Sequence, residues 1–192
     1  MNRFAYLIIF IIYFSCNEDY KPKPKAQLRL EYPEPKYTPD NLKLPFTFDK
    51  NVLAKKTTLK SIPSTTDSYG INLEYPELKG TIFLTYKAIE NNSKNLSDFL
   101  KDAQKFTLEH TQKAAEIPKY PYENNKRKVY GMLSEVRGNV ASPAQFYVTD
   151  SVQHFLTGSI YFYAKPNYDS IYPAAQYLQN DIKRIMESLY WQ

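Results

Sequence analysis

The chain has 192 residues, the length of one ordinary domain, with 25 Lys+Arg against 20 Asp+Glu and a formal charge of +5. Only five of the basic residues are Arg, so the small lysine-dominated excess does not mark a nucleic-acid binder. One Cys and two His rule out an internal disulfide framework and leave little material for a metal site or a cofactor ligand set.

Arg3 is the only charge before Glu18, and Phe4–Phe14 is an unbroken apolar run. As a helix at ~1.5 Å per residue it reaches roughly 16 Å, about half of a bilayer's hydrocarbon core. That length suits the apolar region of a secretory signal. Ser15 and Cys16 come directly after it, an arrangement that resembles the lipobox of bacterial lipoproteins, with Tyr13 where Leu is usual. Residues 1–15 are therefore read as a signal peptide, and Cys16 as the acylated (palmitate-type) first residue of the mature chain. Residues 16–25 form a tether. Its Lys21-Pro22-Lys23-Pro24-Lys25 stretch favours extended polyproline II, about 3.1 Å per residue. Its lysines either meet anionic head groups or are simply solvated.

Residues 26–192 read as a single globular domain. Gln27–Tyr32 alternates as a short strand, and Pro33, Pro35 and Pro39 prevent its continuation. Pro45–Phe48 and Thr57–Ile62 are weak edge-strand candidates. Gly70–Tyr75 and Gly80–Ile89 alternate apolar and polar residues about a Pro76–Gly80 turn, which predicts an antiparallel hairpin. Ser97 is the candidate N-cap of a helix carrying Phe99, Ala103, Phe106, His110, Ala114 and Ile117 on one stripe, ended by Pro118.

Three strand-like runs come next, Arg127–Val136, Ala144–Thr149 and Val152–Tyr163, the last two joined by a tight Thr149-Asp150-Ser151 turn. Ile171, Ala174, Ala175, Leu178, Ile182, Ile185 and Leu189 then repeat at helical spacing, with Pro173 placed in the first turn. The order predicts an α+β fold: a mainly antiparallel sheet with two amphipathic helices packed on it, an α/β/α sandwich. By fold-level analogy alone it is similar to the PsbP proteins.

No catalytic constellation stands out: there is no G-x-S-x-G, phosphate loop, H-E-x-x-H or C-x-x-C. His154 shares a strand face with Val152, Leu156, Ile160 and Phe162, so it reads as a satisfied, half-buried side chain rather than a base for Ser151. Lys126, Arg127 and Lys128, beside Lys119, form a small basic cluster, either a solvated loop or a site for an anionic partner. Tyr161, Tyr163 and Phe155 share a strand face. Tyrosines in this number suit either a protein interface or a sheet face covered by a helix. No catalytic residue, cofactor, metal or nucleic-acid partner is therefore expected.

The stretch CNEDYKPKPKAQLRLEYPEPKY and the C-terminal SPAQFYVTDSVQHFLTGSIYFYAKPNYDSIYPAAQYLQNDIKRIMESLYW together resemble the GldD gliding-motility lipoprotein family of the Bacteroidetes. The resemblance covers nearly all of 16–192. It implies a lipid-anchored envelope protein required for gliding, partnered by other components of the gliding and type IX secretion machinery; it brings no catalytic residues, and with no catalytic constellation in the sequence a non-enzymatic role is expected. It implies lipidation at Cys16 and a place at the outer membrane facing the periplasm, although Glu18-Asp19 is similar to a surface-export signal of that phylum. Asp150-Ser151-Val152 and Asp169-Ser170-Ile171 also match a short O-glycosylation acceptor pattern of these bacteria. The competing expectation is an envelope glycan-binding module or peptidoglycan-active enzyme, which would need two of Glu135, Asp150 and Asp169 paired across a cleft.

Overall fold

The computed structural model describes residues 32–109, 114, 116–163 and 168–192. The candidate strand Gln27–Tyr32 lies almost wholly outside these residues, and so does Cys16.

Short strands open the chain: β1 (Tyr37–Pro39), β2 (Phe46–Thr47) and β3 (Asp49–Asn51). They precede β4 (Lys56–Ser61), β5 (Ser68–Tyr75) and β6 (Gly80–Ala88). Helix α1 (Ser93–Glu109) leads to β7 (Lys119–Asn124), β8 (Val129–Glu135), β9 (Ala144–Thr149) and β10 (His154–Phe162). Helix α2 (Tyr168–Ser188) and β11 (Tyr190–Trp191) complete the order. The main sheet has seven strands in the order β4-β5-β6-β10-β9-β8-β7, and every neighbouring pair is antiparallel. The fold is α+β, with one helix on each sheet face.

Strand alternation separates the two faces. The inner face carries Ile71, Leu73, Ile82, Leu84, Leu156, Ile160, Val148 and Leu133, all buried, and receives Leu178, Ile182, Ile185 and Leu189 from α2. The arm before β4 closes this core with Leu44, Phe46 and Phe48. On the outer face α1 builds a much smaller cluster, in which Ile89, Phe99 and Phe155 are buried with Leu96, Leu100, Ala103 and Tyr147 packed around them.

Four expectations need correction. The first helix starts at Ser93, because Asn92 caps it: its Oδ1 accepts from the Lys94 amide at 2.9 Å. Glu90 and Asn91, both at positive φ, turn the chain out of β6 just before that cap. The helix is assigned only to Glu109, so Ala114 and Ile117 lie outside it. Glu116 already bridges Arg137, where the chain enters the sheet. The side chains of Phe106 and His110 fall outside the described residues. β7 escapes the sequence pattern, because Pro121 reads as a breaker. β7 pairs only with β8, however, and an edge strand tolerates a proline. Pro173 sits in the second turn of α2, since that helix begins at Tyr168.

Candidate functional site

Helix α1 covers only part of the outer sheet face. Beyond it, Tyr161 and Tyr163 stand 42% and 66% exposed, with ring centroids 5.3 Å apart in an edge-to-face pair. Phe83 meets Tyr161 at 6.4 Å and extends the aromatic row into β6. Phe155 shares their strand face but not their surroundings. It is buried beneath α1 between Phe99 (5.7 Å) and the stacked ring of Tyr147 (5.8 Å), so it is core and not surface. The tyrosine pair is thus exposed, whereas the same strand face three pleats earlier is covered by α1.

The basic run lies in the β7–β8 turn, and its members are divided among tasks. Arg127 donates to the carbonyl oxygens of Glu187 (2.8 Å) and Leu189 (3.5 Å), neutralising the C-terminal end of α2. Lys128 takes positive φ, and its carbonyl accepts from Trp191 Nε1 at 3.1 Å. Lys126 is exposed. Lys119 does not belong to this cluster: it starts β7, five residues of strand away, about 17 Å along the hairpin. The turn therefore serves as a clasp on α2 and β11.

His154 behaves as expected of a satisfied ring. Its Nδ1 lies 2.9 Å from the Tyr86 hydroxyl, and its face stacks on Trp191 at 5.0 Å and 9°. Burial pushes the Tyr86 phenol up to about 12, so the hydroxyl stays protonated across the range in which the imidazole titrates. Burial also lowers the His154 pKa from its ordinary 6.5, with the Asp150 carboxylate partly opposing it. The unfolded chain therefore binds this proton more readily than the folded one. The stability that the neutral ring supplies is complete above pH 6.5 and is lost as the pH falls through the lowered value. Urea titrations followed by Trp191 fluorescence should show a midpoint that declines below pH 6.5. His154→Gln should flatten that decline.

Of the acids a glycan hydrolase would need, Glu135 and Asp150 are not brought together. Asp150 Oδ1 accepts from the amides of Val152, Gln153 and His154 at 2.8–2.9 Å and builds the β9–β10 turn, with exposed Ser151 at its tip. Glu135 lies at the opposite end of β9, opposite Ala144, and pairs with Lys183 (3.5 Å) and Arg137 (3.9 Å). The Asp169 and Ser170 side chains lie outside the described residues.

Two features escaped the sequence. A carboxylate, Asp181 on α2, is buried among Tyr37, Asn51 and Tyr75 and ties the arm to the helix. A cavity of about 320 Å³ lies between α1 and the outer sheet face. Neither has a local signal, because each is assembled from elements far apart in the chain. Among the described residues no helix is long and apolar enough to cross a membrane.

An α+β body with a helix-covered inner face and a half-open aromatic outer face is what the chain presents. Residues 17–191 match the family described as gliding motility lipoprotein GldD, and the chain belongs to that family. It is accordingly a lipoprotein of the cell envelope related to gliding motility. No curated protein and no solved structure matches it.

Proposed function

We propose that the chain is a non-enzymatic assembly or stability factor of the gliding and type IX secretion machinery. Acyl chains on Cys16 hold it at the outer membrane, with the domain facing the periplasm. The family is described as a lipoprotein family, and Cys16 is the one cysteine of the sequence and follows the apolar run, which supports that position as the anchor. Two or three acyl chains supply ample hold, at ~0.8 kcal/mol per buried CH₂.

The observation that carries the reading is the exposed Tyr161–Tyr163 pair on the part of the sheet that α1 leaves open. Tyrosines held rigid by a strand give large contact area at small entropic cost, the usual character of an interface anchor. The partners are other envelope proteins of the same machinery. A photo-crosslinking amino acid at 161 or 163 in living cells should capture such a component, whereas the same probe at exposed Glu187 on α2 should not. The double variant Tyr161→Ala/Tyr163→Ala should reduce capture in a membrane pull-down about tenfold while leaving Trp191 fluorescence unchanged. Undiminished recovery of the same partners would refute the assignment of this face.

A further inference from the structure

The cavity beneath α1 has the makings of a ligand site, independent of the tyrosine pair's role. Its floor is the outer face of β6, β10, β9 and β8, where Thr157, Ser159 and Ser134 are too small to fill the space below the helix. Its walls are aromatic: Phe83, Phe99, Tyr147 and Phe155. A volume of about 320 Å³ stands at the lower end of the roughly 300–1,000 Å³ typical of small-molecule sites.

A second observation singles out the space. Gln145 lines it, is only 5% exposed, and its Nε2 is buried with no hydrogen-bond acceptor. An unpaired buried amide is costly, and folded proteins seldom keep one without a purpose. The mouth is mildly cationic. Lys87 Nζ sits 4.6 Å above the Phe99 ring and 3.5 Å from Asp102, and Lys119 lines the same space, with Asp102 the one carboxylate among the described lining residues.

We propose that this cavity binds a small amphiphile, a ring-sized apolar body bearing a carboxylate or carbonyl oxygen. The body lies against the aromatic walls. The oxygen accepts from Gln145 Nε2, and Lys87 and Lys119 favour a negative charge at the mouth.

Methionine methyl groups supply the test. Met132 lines the cavity and Met186 is buried in the inner core under α2, so one resonance reports the site and the other serves as a control. Full-length protein labelled in its methionine methyls would be titrated with 2-naphthoate in micelles. The Met132 signal should shift and saturate while the Met186 signal stays in place. Gln145→Leu should weaken binding about tenfold or more. Ser159→Trp, which fills the space, should abolish the response with the Met186 signal unmoved, which certifies the fold. The proposal is overturned if Met132 does not respond, if it drifts without saturation as Met186 does, or if either variant binds as the wild type does.

Discussion

Gly131→Ala should lower the stability of the protein by about 3 kcal/mol, seen as a fall in the urea midpoint of Trp191 fluorescence. A Cβ at this position would stand 1.9 Å from the carbonyl oxygen of Tyr147 and 2.8 Å from Val148 Cγ1. The oxygen is backbone and has no rotamer to retreat into. Gly131 faces Val148 in the β8–β9 register, so the two strands must part for the methyl to enter. That displacement would reach Gln145 and Phe146 on the same strand and hence both faces of the sheet. Gly70→Ala is the matched control. Its nearest neighbour is the mobile tip of Ile62 at 3.2 Å, and its expected cost is below about 1 kcal/mol. Equal midpoints for the two variants would show that the close approach at 131 is not a real constraint.

The second large effect is expected at Asp181. Its Oδ1 accepts from the Tyr37 hydroxyl at 2.7 Å, and both of its oxygens lie within 3.0 Å of Asn51 Nδ2. Tyr75 Oη is buried beside the same carboxyl without a hydrogen bond of ordinary geometry. Asp181→Ala strands the Tyr37 and Asn51 donors together, at a cost of about 3–4 kcal/mol. Asp181→Asn keeps part of the network and should cost less.

Burial raises the Asp181 pKa, and hydrogen bonds from Asn51 and Tyr37 only partly offset it. The folded chain therefore holds this proton to higher pH than the unfolded chain does. Stability falls as the pH rises from the ordinary value of 3.8 through the raised one and levels off above it, the opposite sign to His154. The midpoint difference between wild type and Asp181→Asn should therefore widen in favour of the wild type on acidification through that window. A difference independent of pH would mean that the carboxyl is not perturbed.

What could be read before folding was what lies locally in the chain. The alternation Ile82, Leu84, Tyr86 against Phe83, Thr85, Lys87 gave the strand, its hairpin partner and its buried face. The α2 stripe from Ile171 to Leu189 gave the helix that covers that face. The helix start failed because Ser97 and Asn92 are both good caps, and only the left-handed turn at Glu90 and Asn91 decides between them. β7 failed because Pro121 forbids a central strand but not an edge. On the surface, parity correctly put Phe155 with Tyr161 and Tyr163. It had no means of knowing that α1 would lie over one end of that row and not the other. Arg127 was visible as charge, but its role as a cap depends on a helix end sixty residues later. The cavity and the Asp181 network depend on distances between elements, which no period or motif encodes.

The tail of the chain is also its keystone. Tyr190 and Trp191 pair with Thr47 and Phe46, the Gln192 amide donates to the Pro45 carbonyl, and Trp191 closes over His154. These contacts join positions about as far apart in sequence as the body allows, so loop closure makes them the slowest to form. Until α2 and these last residues emerge, the inner sheet face has no cover and the arm has no strand to meet. The arm and residues 190–192 are therefore expected to dock together, late in folding, on a sheet whose own seven strands pair without them.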